Sequence, residues 1–412
     1  MYEYAIILEW LNLAARWLHI ITAVAWIGSS FYFIALDLGL RQDAKLPKGA
    51  FGEEWQVHGG GFYHIQKYLV APAKMPEHLT WFKWESYATW ISGFALLCLL
   101  YYAGADIYMV DPNVADISAN QSILISIATI VVGWILYDQL CKSKFGENST
   151  LLMVFLFIII VAVSWGYTQV FTGRAAMLHV GIFTATIMSG NVIFIIIPNQ
   201  KIVVADLIAG KKPDAKYGKI AKQRSTHNNY LTLPVIFMML SNHYPLAFAT
   251  EYNWIIASLV FLMGVTIRHY FNTKHARKGS PNWTWLLTAI LFVLIMWLST
   301  VKKPEPMEQT KLSNYEQQFA QSDNFDQIVE IVQNNCSMCH AAQPSWEGIH
   351  RAPKNVKFDA PQQIAKHARA IYINAGASTA MPPPSLSKSG IALNASERQL
   401  LEEWYKSATS GT

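Results

Sequence analysis

Five consecutive residues, Cys336-Ser337-Met338-Cys339-His340, carry the sharpest chemistry in the chain. Two thiols with two residues between them, followed at once by histidine, are spaced to attach a c-type haem through two thioethers, with the adjacent imidazole as proximal iron ligand. A zinc half-site or a chance pair is the alternative. Tetrahedral zinc wants a second pair, and the other two cysteines, Cys98 and Cys141, lie in or at the end of distant apolar runs. The sixth iron ligand is expected from a downstream loop, where Met381 in AGASTAMPPP is the only methionine after Met338. A thioether opposite histidine raises the reduction potential, which suits an electron acceptor. His350 and His367 are the runners-up, and a merely packed Met381 is the bland reading.

A second group of candidates lies in apolar segments, where histidine is costly unless it is paired or ligating. His19, His179 and His243 stand toward one end of these segments, and His227 and His269 toward the other; His58, His64, His78 and His275 occupy adjoining loops. His19 and His179, on antiparallel helices, could ligate one b-type haem from opposite sides, with Arg16 and Arg174 at the same level holding its propionates. Bonds to neighbouring carbonyls and snorkelling arginines explain the same four residues. At the other end, His227-Asn228-Asn229-Tyr230 opens one segment and Arg268-His269 with Asn272 closes the next. An arginine fork, amides and aromatic planes suit a flat anionic heterocycle: Asn228, Asn229 and Arg268 would bind it, and His227 or His269 would accept its proton. Helix caps and interfacial anchoring account for these residues too, as they do for Trp84, Glu85 and Asp138 on the same side.

The elements that position these groups follow from composition and periodicity. With 52% hydrophobic and only 14% charged residues over 412 positions, the chain is too apolar for an ordinary soluble enzyme. Apolar windows of spanning length fall at 10 to 38, 82 to 104, 121 to 140, 150 to 171, 175 to 197, 228 to 246, 252 to 270 and 283 to 301. The sixth is interrupted by Pro234, which membrane helices tolerate. The expectation is an all-α fold: a polytopic bundle of about eight transmembrane helices over 1–301, a linker over 302–322 and a small cytochrome c domain over 323–412. No cleavable leader precedes the first window, which should be retained as a helix.

Charge gives the orientation. The first, third, fifth and seventh loops carry Lys and Arg throughout, from Arg41 and Lys45 to Arg277 and Lys278, whereas the second, fourth and sixth hold only Arg174. Positive loops stay in the cytoplasm, so the N-terminus and the C-terminal domain should be periplasmic in a bacterial inner membrane. The motif agrees independently, because c-type haems are attached outside the cytoplasm. The formal charge of +5 is dispersed among these loops without a basic stripe, which excludes nucleic acid as a partner. The long first loop, with HGGGFYHIQKYLVAPAKMPEH, should fold against the bundle. Residues 302–322 have linker composition. In the last domain NFDQIVEIVQNN should bury Phe325, Ile328, Ile331 and Val332 on one helical face, and SERQLLEEWYKSA should form a second helix capped by Ser396.

The strings RWLHIITAVAWIGSSFYF, HGGGFYHIQKY, GRAAMLHVGIFTATIMSGNV, HNNYLTLPVIFMMLSNHYP and the terminal CSMCH resemble those of the bacterial membrane-bound cytochrome c urate oxidases, the urate hydroxylases of the PuuD type, over essentially the whole chain. The resemblance implies oxidation of urate to 5-hydroxyisourate in purine breakdown. Electrons would pass to the one covalent haem c and then to a respiratory acceptor, a soluble cytochrome c or a terminal oxidase, with no hydrogen peroxide formed. It carries over to Cys336, Cys339 and His340, with Met381 at the expected distal position. The first segment also looks like b-haem membrane proteins of the protoporphyrinogen-oxidase HemJ type, which favours His19 as a ligand. If urate bound on the cytoplasmic side, electrons would have to cross about 30 Å of hydrocarbon and a relay such as that b haem would be required. The rival readings are an electron conduit from quinol or another donor with no purine site, and a haem-based membrane sensor.

Overall fold

The computed structural model describes residues 4–42, 45–68, 75–112, 114–301, 312–346, 349, 352–384, 386 and 391–409. Two clusters of buried side chains divide it, one within the apolar helices and one in the C-terminal stretch.

The chain enters on α1 (Tyr4–Gly39), followed by an antiparallel hairpin of β1 (Ala50–His58) and β2 (Gly61–Tyr68). The helices α2 (Trp84–Leu96, continued by a π turn over Leu97–Tyr102), α3 (Ala105–Tyr108), α4 (Ala119–Lys142), α5 (Ser149–Thr168) and α6 (Gly173–Gly190) come next. After a π turn at Asn191–Ile196 follow α7 (Ile197–Ile208), α8 (Ala215–Ser241), α9 (Pro245–Phe248), α10 (Asn253–His275) and α11 (Trp283–Leu298). Local chemistry sets several starts: Ser118 and Gln121 form a capping box on α4, and Asn148 and Thr172 cap α5 and α6.

Five helical spans are long and apolar enough to cross a membrane: Ile6–Gly39, Ala119–Lys142, Ser149–Thr168, Gly173–Ile208 and Asn253–His275. The other three expected windows fall on α2 with its π turn, the C-terminal half of α8, and α11. These long apolar helices are compatible with a membrane protein. Their outward faces are apolar as well, with Trp10, Trp17, Val24, Ile290 and Val293 all exposed.

Helix α6 is the axis of the bundle and is buried on every side. Small residues let its neighbours approach: a Cβ at Gly133 of α4 would fall 2.0 Å from the Phe183 ring, and one at Gly181 would fall 2.7 Å from Met238. Pro234 sits inside α8 without ending it, and a Cβ at Gly264 of α10 would meet its Cδ at 2.5 Å, so the proline ring fills the gap that glycine leaves.

The expectation of an all-α chain fails in the first loop. It was legible as folded, but it folds as a hairpin tied to the end of α1: Tyr32 donates to Gln56 (2.7 Å), and Lys67 pairs with Asp37. The turn at His58–Gly61 puts Gly59 and Gly60 at φ +59° and +80°, the geometry of a two-residue turn that side-chain-bearing residues resist. The last part of the expected loop stretch, 69–74, lies outside the described residues.

The C-terminal unit comprises α12 (Asn314–Ala320), α13 (Phe325–Cys336), α14 (Pro361–Lys366), α15 (Ala368–Ile371) and α16 (Ala395–Thr409). They surround Phe319, Ile328, Val332, Ile364 and Trp404. Residues 302–311 of the expected linker lie outside the described residues, but its remainder is ordered. Ser313 and Glu316 form a capping box on α12, and Phe319 is fully buried with its carbonyl accepting from Trp404 Nε1 (3.1 Å). The compact unit therefore starts at Ser313, upstream of residue 323. The face Phe325/Ile328/Ile331/Val332 of α13 is buried as expected. The cap of α16 is Asn394, whose Oδ1 accepts from the Glu397 amide (2.9 Å) while Glu397 accepts from the Asn394 amide (2.7 Å); Ser396 is one residue inside the turn.

Candidate functional site

Cys336 ends α13, and the next turn folds back so that the amides of Cys339 and His340 both donate to the Cys336 carbonyl (3.2 and 2.9 Å). His340 Nδ1 donates to the carbonyl of Val356 (3.0 Å), and the His340 carbonyl accepts from the Phe358 amide (2.7 Å). One ring nitrogen is thus tied to the backbone and Nε2 is left to ligate, the arrangement that fixes a metal-binding imidazole. Met381 is placed from the other side: its amide donates to Asn374 (2.8 Å), and one nitrogen of Arg398 donates to the carbonyls of Ala375, Ser378 and Met381 (2.7, 2.9 and 3.1 Å).

Cys336, Cys339, His340 and Met381 line one cavity of about 890 Å³. Burial pushes the Cys336 thiol up to about 12, with Cys339 adding to the shift, and burial raises Cys339 too. Among the described residues no three His, Cys, Asp or Glu side chains are grouped to hold a metal ion. His367 lines the same cavity and packs edge-on against Phe358 (6.1 Å), the ring that also packs on His340 (5.2 Å). Its pKa is pushed down to about 3, first by burial and then by Lys366. His350 lies outside the described residues.

The opposite wall of this cavity belongs to the bundle. Asn12 and Arg16 of α1, Tyr108 of α3, Thr172, Arg174 at the start of α6 and Phe248 of α9 all line it. Glu9, on the bundle wall of the same cavity, pairs with Arg369 across the junction (3.1 Å). The two arginines assigned from sequence to a haem inside the bundle therefore face the CSMCH unit.

The histidines they were meant to accompany bond to different neighbours. His19 Nδ1 donates to the Thr89 carbonyl (3.0 Å) on α2, with Ser92 Oγ at 3.1 Å. His179 is fully buried: Nδ1 donates to the Ala175 carbonyl (2.8 Å), Nε2 accepts from Ser126 of α4 (2.9 Å), and the rings of Tyr101, Tyr167 and Phe171 surround it. Both nitrogens of His179 are engaged, and the two histidines share no hydrogen-bond partner among the described residues.

At the other end of the bundle, His227, Asn228 and Asn229 do converge with residues of neighbouring helices, in two clusters. Tyr137 donates to His227 Nδ1 (2.8 Å) and accepts from Asn191 (3.0 Å); Asn191 also donates to Asn228 (2.9 Å) and accepts from Arg224 (3.2 Å). Arg224 pairs with Asp138 (2.7 Å), which Lys142 also reaches (2.6 Å). In the second cluster Arg268 donates to Asn229 (3.3 Å) and Asn272 (3.0 Å) and lies 4.1 Å from the Phe31 ring centre. His269 does not join them. It is exposed on the next helical face, beside Trp283 (6.2 Å), because consecutive helical residues project about 100° apart.

Residues 5–299 match the family described as urate oxidase, N-terminal. The chain belongs to the urate oxidase N-terminal family. Neither the curated proteins nor the solved structures searched contain a match. Membership of the urate oxidase family supports an oxidoreductase acting on urate, and the matched stretch is the helical bundle. The CSMCH unit follows that stretch. Three contributors escaped the sequence reading. Arg398 was invisible because its partners lie in a separate loop. Arg224 was counted only as loop charge, although its place one turn before His227 on the same helix was a usable signal. Asn191 lay within a string quoted for its resemblance and carried no chemical mark of its own.

Proposed function

We propose that this chain is a bacterial inner-membrane oxidoreductase that converts urate to 5-hydroxyisourate and delivers the electrons to a c-type haem bonded to Cys336 and Cys339. Urate gives up two electrons and two protons, and one water adds at C5, so urate plus water yields 5-hydroxyisourate, two protons and two electrons. No peroxide is formed, because the electrons leave singly toward a respiratory acceptor, a soluble cytochrome c or a terminal oxidase.

The carrying observation is that Cys336, Cys339, His340 and Met381, drawn from separate stretches, line one cavity whose other wall is the family-matched bundle. A haem with histidine and thioether axial ligands supplies a one-electron acceptor of raised potential. The chain's own part is to hold His340 by the Val356 carbonyl and the Met381 loop by Arg398. The bundle end that meets this unit is the end where α1 begins, as the Glu9–Arg369 pair shows. The scarcity of Lys and Arg in the loops at that end supports a periplasmic N-terminus and cytochrome unit, with eight crossings between.

Purified full-length protein, held anaerobically, should show its c-type absorption bands reduced on addition of urate alone, and Cys336→Ala should lack the covalent chromophore. Reduction by a quinol with none by urate would make the chain an electron conduit without a purine site and sink the proposal.

A further inference from the structure

If the haem occupies the cavity, the electron donor must reach that cavity. The anion site expected from sequence at Arg268 is badly placed for this. Asn253, at the start of the same helix, donates to the carbonyl of Phe248, which lines the cavity (3.1 Å). Fifteen residues of α10 separate Asn253 from Arg268, about 22 Å at the helical rise.

The geometry points to the bundle wall of the cavity, centred on Arg16 and Arg174, as the site that takes urate, an inference that rests on the function proposed above. Arg16 Nε donates to Asn12 (2.8 Å), and Arg174 lies over the Tyr108 ring (5.5 Å from its centre). Arg174 Nε is buried without a hydrogen-bond partner. Among the described residues neither arginine forms an ion pair, and Glu9 on the same wall is engaged by Arg369. Glu9 and Asp111 also line the cavity, but Lys354, Lys366 and Arg369 line it beside the two arginines, and that excess of positive charge favours an anion. Arg174 also opens an eighteen-residue helix capped by Thr172, so the positive end of α6 faces the same space.

Urate fits this wall by class. It is a planar monoanion at neutral pH, with carbonyl oxygens for guanidinium forks and a flat face for Tyr108. Docked there it would sit in the same cavity as the CSMCH unit, so its electrons need no intermediate carrier. Haem propionates share the carboxylate chemistry that two arginines accept, and the test has to separate the two anions.

Full-length protein reduced beforehand with dithionite cannot turn urate over, so anaerobic calorimetry reads binding alone. Wild type should bind urate saturably, Arg16→Gln and Arg174→Gln should each weaken binding about tenfold or more, and the Lys variants should recover part of it. Arg268→Gln should bind as wild type does, and the haem midpoint potential of the Arg16 and Arg174 variants should stay at the wild-type value. A fall in midpoint potential with urate binding intact would assign the arginines to the propionates and overturn the inference. Weakened binding in Arg268→Gln would overturn it in favour of the far site. If urate still reduces the wild-type haem, either result leaves the proposed function standing; if urate neither binds nor reduces wild type, that function falls with it.

Discussion

Arg398 shows how much of the distal ligand's position depends on one side chain. A single guanidinium nitrogen donates to three carbonyls across the Ala375–Met381 loop, and the Met381 side chain is itself partly exposed. Arg398→Ala removes the common donor, so under the proposed function Met381 should lose its hold on the haem iron more readily than the domain loses its fold. The expected outcome is a lowered midpoint potential and loss of the sulfur–iron absorption band, with a stability cost of about 1–2 kcal/mol, since these bonds are partly solvated. An unchanged potential would show that the loop is held by other contacts. The candidate ligands stood out in the sequence because a CxxCH spacing is local and a lone downstream methionine has few competitors. Their support was not, because it depends on which loop packs under which helix. Arg16 and Arg174 were picked out correctly as residues near one bundle end, but sequence cannot say what sits above that end. In the structure they line the cavity that Cys336, Cys339 and His340 also line.

At the scale of elements, the buried network of Tyr137, Asp138, Asn191, Arg224, His227 and Asn228 joins α4, the π turn at Asn191–Ile196 and α8. Asp138 is the only carboxylate that pairs with the buried Arg224 among the described residues. Asp138→Asn leaves that guanidinium uncompensated and should cost about 3–5 kcal/mol, read as a lowered thermal midpoint in detergent. Lys142→Gln removes only the exposed partner of the same carboxylate and should cost no more than about 1 kcal/mol. Equal losses would mean that the two pairs are energetically alike. The glycines make a parallel contrast. Gly264→Val would drive side-chain carbons into the Pro234 ring and should cost about 1–3 kcal/mol, whereas Gly166→Ala meets nothing within 4 Å and should be neutral or stabilising by up to about 1 kcal/mol. The helices were readable from apolar length, whereas the one cap read from sequence, Ser396, lies two residues past the actual cap, Asn394. The hairpin was missed although its signal was present: alternating Trp55, Val57, Phe62 and His64 flank a Gly-Gly turn. Aromatic and histidine content drew attention to possible chemistry there and away from the period of two.

At the scale of the whole molecule, the proposed function puts a urate-oxidising bundle and its electron acceptor in one chain, and that has a kinetic consequence. Two separate proteins that exchange electrons must first collide, and where the collision is steered by charge its rate falls as salt rises. Here the two units share a cavity wall, and the visible ion pair between them, Glu9 with Arg369, is partly exposed and therefore worth at most about 1 kcal/mol. Apolar side chains from both units, among them Leu100, Phe248 and Ile331, line the same space and are indifferent to screening. Under the proposed function the internal step, urate to attached haem, should keep its rate as ionic strength rises from about 0.02 M to about 0.5 M, a range over which the Debye length shrinks to a few ångströms. Steady-state turnover with a soluble cytochrome as acceptor should fall over the same range, because that partner arrives by diffusion. Stopped-flow absorbance at the c-haem bands separates the two steps. If the internal step slows in parallel with turnover, the two units meet only transiently in solution and the shared cavity is not their working arrangement.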